Sequence, residues 1–120
     1  MARNFLEYDY KQNTVIDIFN DHVLKAGDKP FLKRREKEGW KDITWNQAAS
    51  QVEALASYLI NAGIKEKGII PVYSGNRPEW IMADLAILSA GCADASIFHL
   101  TPSADAAQIV AETRTSICFC

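Results

Sequence analysis

The sequence predicts an α/β fold, a partial parallel sheet with crossover helices accompanied by a β-hairpin. Three observations predict it. Residues 69–120 alternate short apolar runs with helical patterns, the order that gives parallel strands joined by helices. Residues 31–44 hold two strand-like runs around Glu36-Lys37-Glu38-Gly39, a hairpin signature. Residues 14–26 and 45–62 repeat apolar side chains at helical spacing behind capping residues.

Residues 1–12 carry Phe5, Leu6, Tyr8 and Tyr10 among polar residues and read as an arm that docks its aromatics on another surface. Thr14 begins the first helix, with Asp17 at its third helical position. Val15, Ile18, Phe19, His22, Val23 and Ala26 fall on one stripe, and Gly27 closes the helix. His22 reads as a partly buried spacer rather than a base, because no Ser or Cys nucleophile motif accompanies it. Pro30 opens a hairpin with strands at 31–35 and 40–44. Its charges, Lys33, Arg34, Arg35, Glu36, Lys37 and Glu38, are mixed in sign and read as a solvated face rather than an anion site.

Thr44-Trp45-Asn46-Gln47 is a capping box. Val52, Leu55, Ala56 and Leu59 form the stripe of the helix behind it, which Gly63 stops. Residues 69–91 are the centre of the chain. Ile-Ile-Pro-Val-Tyr suits a buried strand at 69–73, although Pro71 removes a ladder donor and argues for an edge or a bulge. Ser74-Gly75 supplies a turn. Asn76 is the expected cap of a helix over 77–90, with Glu79 three residues on and Pro78 in the first turn. Trp80, Ile81, Leu85, Ile87 and Leu88 make that helix apolar over most of its circumference, and Gly91 can end it in the left-handed conformation. A strand follows at 94–98, where Asp94 is expected near the start, in reach of water or a backbone donor. Thr101-Pro102 is the expected cap of a helix over 102–113 with Ala106, Ile109 and Val110 inward, and 116–120 is a final strand. The chain stops inside this apolar run without a polar tail, so a piece of something longer is expected.

A chain of 120 residues suffices for one domain, and 48% hydrophobic with 23% charged residues is ordinary globular composition. A net charge of −2 gives no reason to expect nucleic acid. No apolar run reaches the roughly 18 residues of a membrane span. Acid stands where a signal peptide would be apolar, so a cytoplasmic location is expected. Cys92, Cys118 and Cys120 read as buried small hydrophobes; no spacing joins them to His22 or His99 as a zinc site.

The run Gly75-Asn76-Arg77-Pro78-Glu79-Trp80, then Ala83-Asp84-Leu85-Ala86-Ile87-Leu88-Ser89-Ala90-Gly91, with Ile43-Thr44-Trp45-Asn46-Gln47 upstream, resembles the N-terminal region of long-chain acyl-CoA synthetases, in the adenylate-forming (AMP-binding) superfamily. The resemblance implies the N-terminal portion of that family's large domain: a single fragment, 1–120, with the arm at 1–12, a helix–hairpin–helix at 13–63 and a βαβαβ unit at 69–120. Several positions depart from the family pattern. Gln47 replaces an acid, Lys67-Gly68 replaces Gly-Asp, and Ser96, Phe98 and His99 stand where a Pro, often a Tyr, and another Pro are usual.

The implied reaction joins a carboxylic acid to AMP with release of pyrophosphate, then transfers the acyl group to the thiol of coenzyme A. ATP, magnesium and coenzyme A are implied for the full-length relative. Polyphosphate charge needs backbone N–H groups, a lysine and a metal ion, supplied in the family by a Ser/Thr/Gly-rich loop ending in Lys. Ser74-Gly75-Asn76 is too short to be that loop and reads as turn and cap. The family's ribose-binding aspartate and C-terminal lysine fall beyond this chain. Glu79, Asp84, Glu112 and Arg114 receive no catalytic role, Asp84 being expected to make a structural hydrogen bond. No catalytic, cofactor-binding or metal residue is therefore assigned, and the chain alone is expected to be inactive. Its expected partner is the remainder of the synthetase, with fatty acid bound, and a peripheral membrane location open, only in the full-length form. A sheet edge or face left open invites self-association. Two alternatives remain: a free-standing Rossmann-like or flavodoxin-like nucleotide or protein interaction module, and a degenerate synthetase-like protein.

Overall fold

A computed structural model describes residues 14–120; the expected aromatic arm lies outside the described residues. Helix α1 (Val15–Ala26) starts at an extended Thr14 whose hydroxyl accepts from the Asp17 N–H at 3.1 Å. Only Phe19 of its stripe is buried. Val15 and Ile18, expected inward, are 58% and 39% exposed, because α1 is an outer layer that touches its neighbours along one narrow line. The His22 ring stacks on Trp45 at 5.2 Å. Gly27 closes α1 in right-handed backbone. Its glycine is needed for space: a Cβ there would lie 2.5 Å from the Asn46 side chain. The Gly27 carbonyl in turn accepts from the Asn46 N–H at 2.9 Å, which ties the end of α1 to the start of the second helix.

Strands β1 (Pro30–Glu36) and β2 (Gly39–Thr44) form the expected antiparallel hairpin, with Glu36 opposite Gly39 and Gly39 at φ 133°. Helix α2 (Trp45–Asn61) follows at once. Its capping box is complete: the Gln47 N–H donates to the Thr44 hydroxyl at 3.2 Å, and the Thr44 N–H donates to Gln47 Oε1 at 2.9 Å. Ala48, Val52 and Ala56 meet Phe19 and, from the next helix, Met82, Leu85 and Ala86 in one core.

Strand β3 (Ile69–Ser74), helix α3 (Pro78–Ser89) and strand β4 (Ala93–Phe98) make a parallel βαβ unit, in register from Ile69 opposite Ala93 to Ser74 opposite Phe98. Leu59, Ile70, Val72, Ile87 and Cys92 form the second core, between this sheet and its helices. At the amino ends of the strands the Lys67 N–H donates to the Gly91 carbonyl at 2.8 Å; Gly91 sits at φ 77° and Lys67 at φ 64°. Helix α4 (Ser103–Thr113) returns the chain across β3. Helices α3 and α4 each pack on both strands without touching one another, so they cover opposite faces of the sheet.

Three expectations are corrected. The cap of α3 is Arg77, not Asn76. Pro78 forces the residue before it into extended backbone, here φ −149° and ψ 157°, so the helix entry moves one position along and no side chain caps it. Helix α4 begins after Pro102, itself the cap residue at φ −54° and ψ 142°. Thr101 makes no side-chain cap, and Ile109 faces outward at 36% exposure. Finally, the expected strand at 116–120 is reduced to a single parallel bridge between Phe119 and Val72. The Phe119 N–H donates to the Pro71 carbonyl at 3.0 Å and the Tyr73 N–H to the Phe119 carbonyl at 2.8 Å. The next rung of a parallel ladder would need an N–H at position 71. Pro71 has none, and the Ile117 carbonyl accepts from the Thr115 hydroxyl at 3.2 Å instead. Pro71 thus lies, fully buried, in an edge strand of the two-stranded sheet, with its missing donor turned toward this single bridge.

Candidate functional site

The path from β3 to β4 runs one way along the sheet, and the path from β4 to Phe119 runs back past β3. The winding therefore reverses between β3 and the Phe119 segment. Such a reversal leaves a crevice at the carboxyl ends of the strands, where open α/β sheets hold ligands. A cavity of about 240 Å³ lies there, bounded by Leu55, Val72, Ser74, Trp80, Phe119 and Cys120, with Arg77 and Glu79 at its side.

The walls are mostly apolar, and the polar groups are already engaged. The Ser74 hydroxyl donates to the Gly75 carbonyl at 3.1 Å. The Tyr73 hydroxyl donates to the Thr101 carbonyl at 2.7 Å, which pins the β4–α4 loop over the end of β3. Arg77 Nε donates to Glu79 Oε2 at 2.9 Å, and the Arg34 guanidinium takes the other oxygen. Arg77 first, then the local backbone and Arg34, hold the Glu79 carboxyl down at about 2, against some opposition from burial. A carboxylate so held stays charged near neutral pH and cannot shuttle protons there. Burial, with a smaller push from Cys120, raises the Cys118 thiol above its ordinary range, so little thiolate forms. The arrangement can bind and orient an apolar group, with the Glu79 carboxylate at its side engaged by Arg34 and Arg77.

Of the positions that depart from the family pattern, Ser96, Phe98 and His99 are all exposed, with Phe98 at 62%. His99 lies beside Gly75 and edge-on to Phe98 at 4.6 Å between ring centroids. Glu112 accepts from Gln108 at 3.3 Å on an exposed face of α4, and Arg114 ends that helix at φ 55°. Neither approaches the crevice lining. Among the described residues no group of three His, Cys, Asp or Glu side chains could hold a metal ion. The Ser74-Gly75-Asn76 turn offers no lysine. The residues present therefore do not fit a magnesium–polyphosphate site, and no reaction step is derived through one.

The sequence did not reveal one juxtaposition. Asp84 of α3 comes close to Asp94 of β4, which is the second residue of its strand and only partly buried, near the start and in reach of water as expected. Burial first, then the hydrogen bond and charge of Asp94, push the Asp84 carboxyl up to about 6. The signal available was topological: an acid on the crossover helix and another at the start of the strand it feeds. The pair sits level with Ile70, in the amino-terminal half of the sheet and away from the crevice.

Residues 19–120 match the AMP-binding enzyme family. The chain is 25% identical over 109 residues to the long-chain-fatty-acid–CoA ligase heimdall of Drosophila melanogaster, covering 88% of this chain and 16% of that protein. It is 30% identical over 111 residues to long chain acyl-CoA synthetase 4 of Arabidopsis thaliana, covering 86% of this chain and 16% of that one. In three dimensions it resembles the fatty acid AMP ligase of Legionella pneumophila, with a TM-score of 0.81 at 22% identity over 90% of this chain and 19% of the other. The chain thus spans a small part, 16%, of the length of the curated relatives it matches. On the strength of a match that takes in both cores and every strand and helix from the end of α1 onward, this chain belongs to the AMP-binding enzyme family of adenylate-forming enzymes.

Proposed function

We propose that this chain is the N-terminal part of an ATP-dependent long-chain fatty acid–CoA ligase and is inactive alone. In the full-length enzyme its sheet and helices back the nucleotide-binding half, and the acyl-adenylate and acyl-CoA steps use residues from the remainder of the protein. One observation carries the reading: residues 19–120 match the family, yet the chain spans only 16% of the length of the fly ligase and the plant synthetase it aligns with. ATP, magnesium and coenzyme A belong to the full-length enzyme, and the part supplied here is the wall against which they are held. The test is ATP–pyrophosphate exchange with a long-chain fatty acid. The pure 120-residue chain is expected to give none, and clear turnover by it would place the chemistry in this chain and overturn the reading.

The partner in this reading is the remaining part of the ligase. The outer edge of β4 is the surface offered to it. The Ala93 N–H points to β3, so by strand alternation the main-chain groups of Asp94 and Ser96 point away from it, while the Phe98 carbonyl accepts from the Thr101 N–H at 2.9 Å. Beside that edge Phe98 and Leu100 are 62% and 71% exposed. An open edge flanked by apolar side chains also pairs with copies of itself. The isolated chain is expected to associate as its concentration rises, and a strictly monomeric species by light scattering at high concentration would count against this. No described helix is long and apolar enough to cross a membrane.

A further inference from the structure

A second cleft, of about 460 Å³, lies between the hairpin and the first turn of α3, on the far side of Arg77 from the crevice. Its lining brings together Lys33, Arg34 and Arg35 of β1 and Arg77 from the entry to α3, against a single acid, Glu79. Glu36 and Glu38 are at the turn, outside this lining, although both border Arg35 there and Glu36 borders Arg34 on the other side. Asp42 answers only Lys33, at 3.1 Å.

Glu79 takes one donor from Arg34 and one from Arg77, each guanidinium having five N–H groups. It therefore acts as a clamp that fixes two forks side by side and leaves most of their donors unengaged among the described residues. Arg35, which strand alternation puts on the face of β1 opposite Arg34, borders the cleft at its rim and lies over the Trp40 ring at 5.3 Å from its centroid, with that indole 63% exposed. Forks converging from two elements suit a tetrahedral group with several anionic oxygens better than a single carboxylate. The volume admits a whole small molecule rather than one bare ion. The chain as a whole is acidic, at −2, so general attraction of anions would not produce binding here.

We propose that this cleft binds a phosphate-bearing group, held by the guanidinium groups of Arg34, Arg35 and Arg77 and carried by a soluble organic phosphate or by a lipid headgroup. The site is separate from the crevice at the strand ends, and it stands whether or not the ligase reading does.

The test titrates the 120-residue chain with sodium tripolyphosphate by calorimetry at low salt. In parallel, the chain is sedimented with phosphatidylcholine vesicles, with and without phosphatidylglycerol. A soluble source gives saturable one-to-one binding of tripolyphosphate that added salt weakens, with no sedimentation. A lipid source gives sedimentation with the anionic vesicles only, abolished by Trp40→Ala, whose indole would lie in the headgroup layer. In either case Arg35→Gln and Arg77→Gln each weaken binding by about tenfold. Both positions are at the surface, and unchanged circular dichroism checks that the fold survives. The proposal is overturned if neither probe binds below millimolar concentration, or if the two Gln variants bind as the parent does.

Discussion

Asp84 and Gly27 show how a single residue can be governed by a neighbour far along the chain. The Asp84 carboxyl is raised from 3.8 to about 6 by burial and by Asp94. A carboxyl whose pKa is raised on folding stabilises the fold fully below its unfolded value, and that contribution is lost as pH rises through the folded value. Between pH 4 and 7 the parent should therefore lose stability relative to Asp84→Asn, which cannot ionise. Because Asp84 is only half buried, screening reduces the difference to about 1 kcal/mol at pH 7. Thermal unfolding of both chains at pH 4 and pH 7 measures it, and parallel shifts of the two midpoints would refute it. Gly27 carries the same lesson without charge. Its glycine reads locally as a helix stop, but the structure needs it because Asn46 occupies the place of a Cβ.

At the scale of the element, the capping chemistry divides cleanly. The box at Thr44 was legible because all its partners lie within one turn, and the same holds for Thr14. Gln47→Glu restores the acid usual in the family and places a negative charge at the amino end of α2. It should stabilise the chain by about 0.5 kcal/mol, lost in high salt, as urea unfolding at two ionic strengths would report; no gain at low salt would show that the cap geometry cannot accept the carboxylate. The entry to α3 was misread for a local reason too: Asn76 is a good capping residue, but Pro78 displaces the cap onto Arg77. The weak third strand had a visible cause, Pro71. What could not be read was which neighbour its missing donor would face, because that depends on the order of strands and not on any one of them.

At the scale of the molecule, the βαβ unit and the hairpin were legible, since each is written in short-range periodicity. The reversal of winding that creates the crevice was not, nor was the gathering of Arg77 with the hairpin arginines. Both arise from where separate elements come to rest. The bridge between Val72 and Phe119 has a kinetic consequence. Phe119 can reach β3 only after α3, β4 and α4 are in place, so its docking is a closing event, formed after the folding barrier is crossed. Phe119→Ala should then cost about 2 kcal/mol and speed unfolding by about 30-fold with the refolding rate nearly unchanged. Stopped-flow traces in which refolding slows instead would show that the segment joins early. On this account a nascent chain leaving the ribosome carries the flank of β3 bare until Phe119 emerges, and in that interval a chaperone or a neighbouring polypeptide has its best access to the sheet.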